Sequence, residues 1–413
     1  MSEQLTKTNY KQTEIGLIPE DWELVRFGDI SKKIIGGGTP SRSNSEYWGS
    51  EIPWVTVKDF ATFNPSSTQE YITLKGLKSS SSNLIKKGTL ITSTRMALGK
   101  AVIYDVDVSI NQDLKAIYTK NNITTDFLYC WFEFNSKNIE ELGSGSTVMG
   151  LSLPELKKIQ IPLPPLPEQK AIAQVLSDTD TLIQTITQKL IKKRAIKQGA
   201  MQQLLTPKDD WITKNLLELA DSKKQFFDDG DWIESEHITS DGVRLIQTGN
   251  IGVGKYVEKE NKKFIYESSF EKLKCKPLQE GDLLICRLAE PAGRACVLPK
   301  LPYDKIVTSV DVTIFRPRSE VANRVFLMNF FSTSKWFKQV YESVGGTTHK
   351  RISRGSLGKV SIKLPSIEEQ TQIATILSDM DAEIAQLEEK LEKYKVLKQG
   401  LMQNLLTGKI RLV

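Results

Sequence analysis

The stretch Ile161–Lys208 recurs without a gap as Ile362–Lys409; each residue meets its counterpart 201 positions later, and half of the pairs are identical. An internal repeat of this length constrains the architecture more than composition can. Each copy follows a block of ordinary globular sequence, so the chain reads block, long helix, block, long helix. In the second copy Ile373, Leu377, Met380, Ile384, Leu387, Leu391, Tyr394, Leu401 and Leu405 follow alternating steps of four and three, interrupted at Lys398. The first copy keeps Ile172, Leu176, Ile183, Ile186, Leu190 and Leu204, with Thr179 and Lys193 as weaker members. Apolar positions sustained at this spacing predict a coiled-coil seam, and roughly 38 residues at 1.5 Å each make a rod of about 57 Å.

An apolar seam of that length needs a cover, and the nearest is the other copy packed antiparallel. Such pairing relates the two blocks by a pseudo-twofold axis. The expected fold class is therefore α+β. Two globular domains, each a mixed or antiparallel sheet with helices, are related by pseudo-twofold symmetry and separated by two long antiparallel coiled-coil helices. The expected boundaries are 1–160, 161–208, 209–361 and 362–413. Gly199 and Gly400 stand at matched places, each costing ~1 kcal/mol of helix stability, which suggests close backbone packing or a bend.

The blocks repeat one order of elements. Ile52–Val57, Gly88–Ser93, Gly99–Asp105 and Leu114–Tyr118 are β-branched or apolar runs bounded by turn residues and read as strands. Val243–Thr248, Gly281–Cys286 and Gly293–Val297 stand in corresponding places. Thr125–Phe134, with Thr at a cap position, carries aromatics at helical spacing and reads as a helix, and Phe326–Phe337 matches it.

Catalytic signatures are incomplete. With only His237 and His349, histidine triads and His-rich metal sites are nearly excluded. Gly249–Lys255 has phosphate-loop spacing, but Tyr256 occupies the place of the Mg²⁺-binding hydroxyl, and the segment opens no helix. Cys130, Cys275, Cys286 and Cys296 lack metal or disulfide-framework spacing and read as buried thiols. No apolar run reaches 18 residues, and the polar N-terminus has no signal-peptide core, so a cytoplasmic protein without a membrane segment is expected. The net charge of +6 permits a nucleic-acid partner without requiring one.

The doubled LPPLPEQKAIAQVLSDTD…KQGAMQQLLT and LPSIEEQTQIATILSDMD…KQGLMQNLLT, with IGLIPEDWE, GGGTPS and VRLIQTGNIGVGKY, resemble the specificity subunits of type I restriction-modification enzymes. The resemblance covers essentially the whole chain. It implies two target-recognition domains, each reading one half of an asymmetric bipartite site on double-stranded DNA. It also implies that the helices set the spacing and dock two DNA methyltransferase subunits, through which restriction/translocase subunits join. AdoMet, ATP and Mg²⁺ would belong to those partners, with no cofactor, metal or catalytic residue in this chain. Two readers on a twofold frame suit half-sites about one helical turn, roughly 34–36 Å, apart.

Loops carry recognition, and phosphates favour Lys, Arg, Ser and Thr. The candidates for DNA contact are Thr39, Ser41, Arg42, Lys58, Arg95, Lys100, Ser146 and Thr147 in the first block. In the second they are Lys223, Lys224, Gln247, Arg287, Arg294, Thr347, Thr348, His349, Lys350 and Arg351, with Arg95 and Arg287 taken as equivalent. The candidates for the spacer and partner-binding helices are Gln169, Ile172, Leu176, Ile183, Leu190, Gln198 and Leu204, matched by Gln370, Ile373, Leu377, Ile384, Leu391, Gln399 and Leu405. Three other readings stay open: a methyltransferase-only or related defence system, a coiled-coil adaptor that binds no DNA, and a nucleotide hydrolase using Gly249–Lys255.

Overall fold

A computed structural model describes residues 9–143, 150–344 and 350–412. The chain divides into two compact units, Met1–Thr187 with Glu389–Val413, and Gln188–Glu388. Among the described residues no helix is long and apolar enough to cross a membrane.

In the first unit an antiparallel sheet runs in the order Ser31–Gly36, Leu114–Thr119, Leu90–Ser93, Ala101–Ile103. A mixed sheet runs Glu70–Ile72, Trp48–Val55, Val108–Ile110, Leu84–Ile85, with Trp48–Val55 and Val108–Ile110 parallel. The second unit repeats both. Its antiparallel sheet is Phe227–Asp229, Val312–Phe315, Leu283–Cys286, Ala295–Val297. Its mixed sheet is Ile238–Thr239, Lys263–Ile265, Val243–Ile246, Ile306–Thr308, with one parallel pair. The strands expected from sequence are present; those expected to open on Gly88, Gly99, Gly281 and Gly293 begin two residues later, Ile52–Val57 is shifted to Trp48–Val55, and Val243–Thr248 ends at Ile246.

The aromatic helices differ. Thr125–Gly143 is one helix, longer than its aromatic spacing predicted. The expected Phe326–Phe337 helix is instead two, Arg324–Phe330 and Ser334–Tyr341. The break has a local cause: the Thr333 hydroxyl accepts the Trp336 N–H and starts a new helix, while Ser332 turns its hydroxyl back to Met328 O.

Each long helix has 39 residues, Leu166–Leu204 and Ile367–Leu405. In the first unit Ile172 and Leu176 share a core with Met402, Leu405 and Leu406, so the first half of one helix covers the last part of the other. In the second unit Ile373 and Leu377 share a core with Met201, Leu204 and Leu205. Both pairings are antiparallel. Lys398 bonds Asp180 at 2.7 Å in the first unit, and Lys197 bonds Asp381 at 2.5 Å in the second. The lysine that interrupts the heptads is thus a polar seam residue paired across the helices, a device that fixes register in coiled coils. In the second unit Lys193–Glu383, Arg194–Glu388 and Lys208–Glu369 continue that register. Of the two readings of Gly199 and Gly400, close packing within the chain is absent: among the described residues nothing lies within 4 Å of a Cβ built on either.

Candidate nucleic-acid interface

In the first unit, the strand ends at Ser93 and Ile110 open into a cleft of about 420 Å³ lined by Arg95, Gln112, Asp113, Lys115 and Ser152. The Arg95 side chain is 64% exposed and reaches Asp113 only at 4.0 Å, so its guanidinium is nearly free. Lys115 is half-buried and donates to Gln112 O at 2.9 Å; burial holds its ammonium below the usual lysine range. Thr39, exposed beside the cleft, donates its hydroxyl to Gln112 Oε1 at 2.7 Å. Ser41, Lys58 and Lys100 are exposed. Arg42 stacks 4.0 Å over Trp48 and pairs with Glu70, whose carboxyl that hydrogen bond holds below the usual range. Ser146 and Thr147 lie outside the described residues.

In the second unit the charges are placed differently. Arg287 is buried; its guanidinium donates to Ile352 O at 3.1 Å and Val310 O at 2.6 Å, with Nε 3.1 Å from Asp229. Burial raises the Asp229 carboxyl above the ordinary range even with that cation beside it. Arg294 gives its N–H groups to the carbonyls of Ile251, Leu288, Pro291 and Thr248. Both arginines tie loops together and offer no free charge. Nor are Arg95 and Arg287 equivalent. Thr94 N–H donates to Asp113 O and Arg287 N–H to Asp311 O, which matches Arg287 to Thr94 and Arg95 to Leu288.

Gln247 lines a polar cleft of about 240 Å³ with Arg244, Lys259 and Lys263. The phosphate-loop look-alike adjoins it. Thr248–Asn250 is a 3-10 turn after the strand Val243–Ile246, and Ile251 bridges back to Tyr256, so Gly249–Lys255 is a tight loop between extended segments. Lys223 and Lys224 line a wider groove with Lys276 and Arg316. Lys350 and Arg351 are exposed, Arg351 lying 3.4 Å from Asp311; Thr347, Thr348 and His349 fall outside the described residues.

The helix residues separate into three groups. Ile172, Leu176, Leu190, Ile373, Leu377, Ile384 and Leu405 are buried, and Ile183, Leu204 and Leu391 half-buried. Gln198 and Gln399 are exposed. Gln169 and Gln370 are buried clamps inside their own units. Gln169 Oε1 accepts Thr124 N–H at 2.9 Å, and its Nε2 donates to Asn122 O and Pro164 O, both at 2.9 Å. Gln370 Oε1 accepts Asn323 N–H at 2.9 Å, and its Nε2 donates to Val321 O and Pro365 O, both at 3.0 Å. One carboxamide thus locks the start of an aromatic helix to the start of a long helix, once in each unit.

Sequence reasoning missed Gln112, Lys115 and Trp232, the last 69% exposed. The available signal was the strand match between the blocks, which carries Thr94 onto Arg287 when followed residue by residue. All four cysteines are buried and unpaired; burial pushes Cys130 and Cys296 up to about 12 and Cys275 up to about 11, which makes them poor nucleophiles.

The chain matches the model of the type I restriction modification DNA specificity domain twice, over residues 19–193 and 208–396. It is 27% identical to the type I restriction enzyme MjaVIII specificity subunit of Methanocaldococcus jannaschii, across 98% of this chain and 96% of that one. It is 36% identical to the MjaIX specificity subunit of the same organism over 43% of this chain and 42% of the relative, so that match spans less than half of either protein. The crystal structure of the type I restriction-modification S subunit from M. genitalium has a similar fold, with a TM-score of 0.61, 14% identity and 98% of each chain covered.

Proposed function

This chain belongs to the type I restriction modification DNA specificity family, and from that premise we propose how its two units divide the work. Each unit reads one half of an asymmetric bipartite site on double-stranded DNA. The long helices fix the separation and dock two DNA methyltransferase subunits, with restriction/translocase subunits joining through those. The chain itself supplies recognition and no chemistry; AdoMet, ATP and Mg²⁺ act in its partners.

The observation that carries this reading is the contrast between what repeats and what does not. The clamp glutamines, the Lys–Asp seam pairs and the outward helix faces recur in both units. On those faces Ile196 and Leu397 are about half exposed, near Gly199 and Gly400, whose α-carbons stand open. Two like faces suit two copies of one partner, and an open helical glycine admits a partner's backbone. The cleft residues, by contrast, differ between the units, as reading two different DNA words requires. DNA contact is proposed for Thr39, Ser41, Arg42, Lys58, Arg95 and Lys100 in the first unit. In the second it is proposed for Lys223, Lys224, Gln247, Lys350 and Arg351.

Methylation-site sequencing in a host expressing this chain with its methyltransferase tests the reading. The expected result is one asymmetric motif of two words with a fixed gap. The assembled complex should also lose affinity steeply as salt rises. A complex whose DNA affinity is absent or indifferent to salt would leave the adaptor reading standing instead.

A further inference from the structure

Backbone hydrogen bonds place the cleft of the first unit and its counterpart in the second in one-to-one register. Gly37 passes the end of the strand Val108–Ile110 so closely that a Cβ there would lie 1.8 Å from Ile110 O, and Gly38 N–H bonds that oxygen at 3.0 Å. Gly230 passes Ile306–Thr308 in the same way, with a Cβ 2.4 Å from Thr308 O, and Asp231 N–H bonds that oxygen at 2.8 Å. Only glycine fits at either crossing, so the residues two further on, Thr39 and Trp232, occupy one position. Asn111 N–H bonds Val55 O at 3.0 Å and Ser309 N–H bonds Ile246 O at 3.1 Å, which matches Gln112 to Val310. Leu151 N–H bonds Thr94 O at 2.9 Å and Ile352 N–H bonds Arg287 O at 3.0 Å, which matches Arg95 to Leu288.

At these three positions the frame is the same and the chemistry is opposite. The first unit presents a hydroxyl, a carboxamide and an almost free guanidinium. The Thr39 bond holds the Gln112 carboxamide in one orientation before any ligand arrives. The second unit presents an indole 69% exposed, whose N–H donates to Glu234 at 3.2 Å, and half-buried valine and leucine side chains. Arg287 is withdrawn into the fold, and the exposed Arg351, bridged to Leu288, is turned to Asp311 at 3.4 Å. Exposed Thr39, Gln112 and Arg95 are not needed for a core, and burying Trp232 would have been favourable, so folding accounts for neither the polar set nor the indole, although Leu288 also packs against a core of its unit.

We propose that Thr39, Arg95 and Gln112 in the first unit, and Trp232, Leu288 and Val310 in the second, are the matched base-reading positions. The first set reads purine edges by hydrogen bonds, and the second reads thymine methyl groups by apolar contact. A guanidinium pairs with guanine O6 and N7 and a carboxamide with adenine N6 and N7, whereas apolar side chains meet the thymine C5-methyl. The proposal rests on the DNA-reading function above and names where that reading is done.

The test exchanges the chemistry between matched positions. Arg95→Leu, Gln112→Val and Trp232→Thr are expressed separately with the methyltransferase, and the methylated sites are sequenced. Arg95→Leu and Gln112→Val should each lower methylation of the original site roughly tenfold or more and relax one base of one word. Trp232→Thr should relax the other word only, and the gap should stay fixed in all three. Original motifs methylated at the original level in these variants would overturn the proposal. Should a variant methylate nothing, DNA binding by its purified complex decides. Specific affinity lost with non-specific affinity kept supports base reading, whereas a uniform loss on all sequences marks a phosphate contact and overturns it. A wild-type chain that directs no methylation would instead remove the reading on which the proposal rests.

Discussion

In the first unit Glu168, fully buried in the first turn of its long helix, accepts the Trp22 indole N–H at 2.9 Å, two bonds from Arg411 at 2.7 and 2.8 Å, and the Leu412 amide at 3.3 Å. Arg411 also grips Asp21 at 2.6 and 2.8 Å. In the second unit the counterpart Glu369 lies nearer the surface, 29% exposed, and pairs with Lys208 at 2.7 Å. The matching indole N–H, on Trp211, is buried without a partner among the described residues. The same repeat sequence is therefore anchored by an internal charge network in one unit and by a surface ion pair in the other. What decides is the segment that reaches the helix start. Gly408–Leu412 packs against Pro19 and Trp22 in the first unit and brings Arg411 with it, whereas in the second unit Lys208, just before Trp211, pairs with the helix-start carboxylate.

That difference breaks most visibly at Arg411. Arg411→Ala leaves the Glu168 carboxylate buried and uncompensated and should cost about 3–5 kcal/mol, read as lost hydrogen-exchange protection in the first unit. Lys208→Ala should leave protection of the second unit nearly unchanged, because exposed pairs contribute little. Equal large losses would show that both helix starts depend on their ion pairs alike. Next come the shared clamps. Gln169→Ala and Gln370→Ala each leave a buried N–H and two carbonyls without their partner, and each should cost about 3 kcal/mol in its own unit. A clear inequality would contradict the identical clamps. Smaller again, Trp22→Phe forfeits a hydrogen bond to a charged group and should cost about 2 kcal/mol more than Trp211→Phe, which removes an unpartnered donor. The mildest effect depends on pH. The Arg411 hydrogen bond holds the Asp21 carboxyl below its ordinary range, so its stabilisation is complete above about pH 4 and is lost as pH falls through the lowered value. Asp21→Asn should therefore melt below the wild type at neutral pH, and the gap should close on acidification; a gap that does not change with pH would rule out the carboxylate.

The long helices were legible in the sequence because their apolar period persists through many turns and across two copies. Strands were legible where β-branched runs end at glycines that turn the chain. The split at Ser332–Thr333 was not, because aromatic spacing continues across it and only the hydroxyl bonds end the helix. Arg287 and Arg294 look like loop cations in sequence, yet their environment is a set of carbonyls gathered from distant segments. Gln169 and Gln370 look like surface glutamines at a helix start, and of each one's three partners two, Thr124 and Asn122 or Asn323 and Val321, come from a segment far away in sequence. Residue type tells what a side chain can bond, and the fold decides whether that capacity is used inside or left for a ligand. Gln112 and Trp232 escaped notice because they lie in loops beyond the matched strands, where the backbone bonds carry on the register that the strand match begins.

The claim that one frame carries two independent readers is tested most directly by a hybrid. Residues 209–361 are replaced by the corresponding stretch of another family member, and the methylated sites are sequenced in a host that supplies the methyltransferase. One word of the motif should change while the other word and the gap remain as in the wild type. A change in both words, or in the gap, would contradict the account.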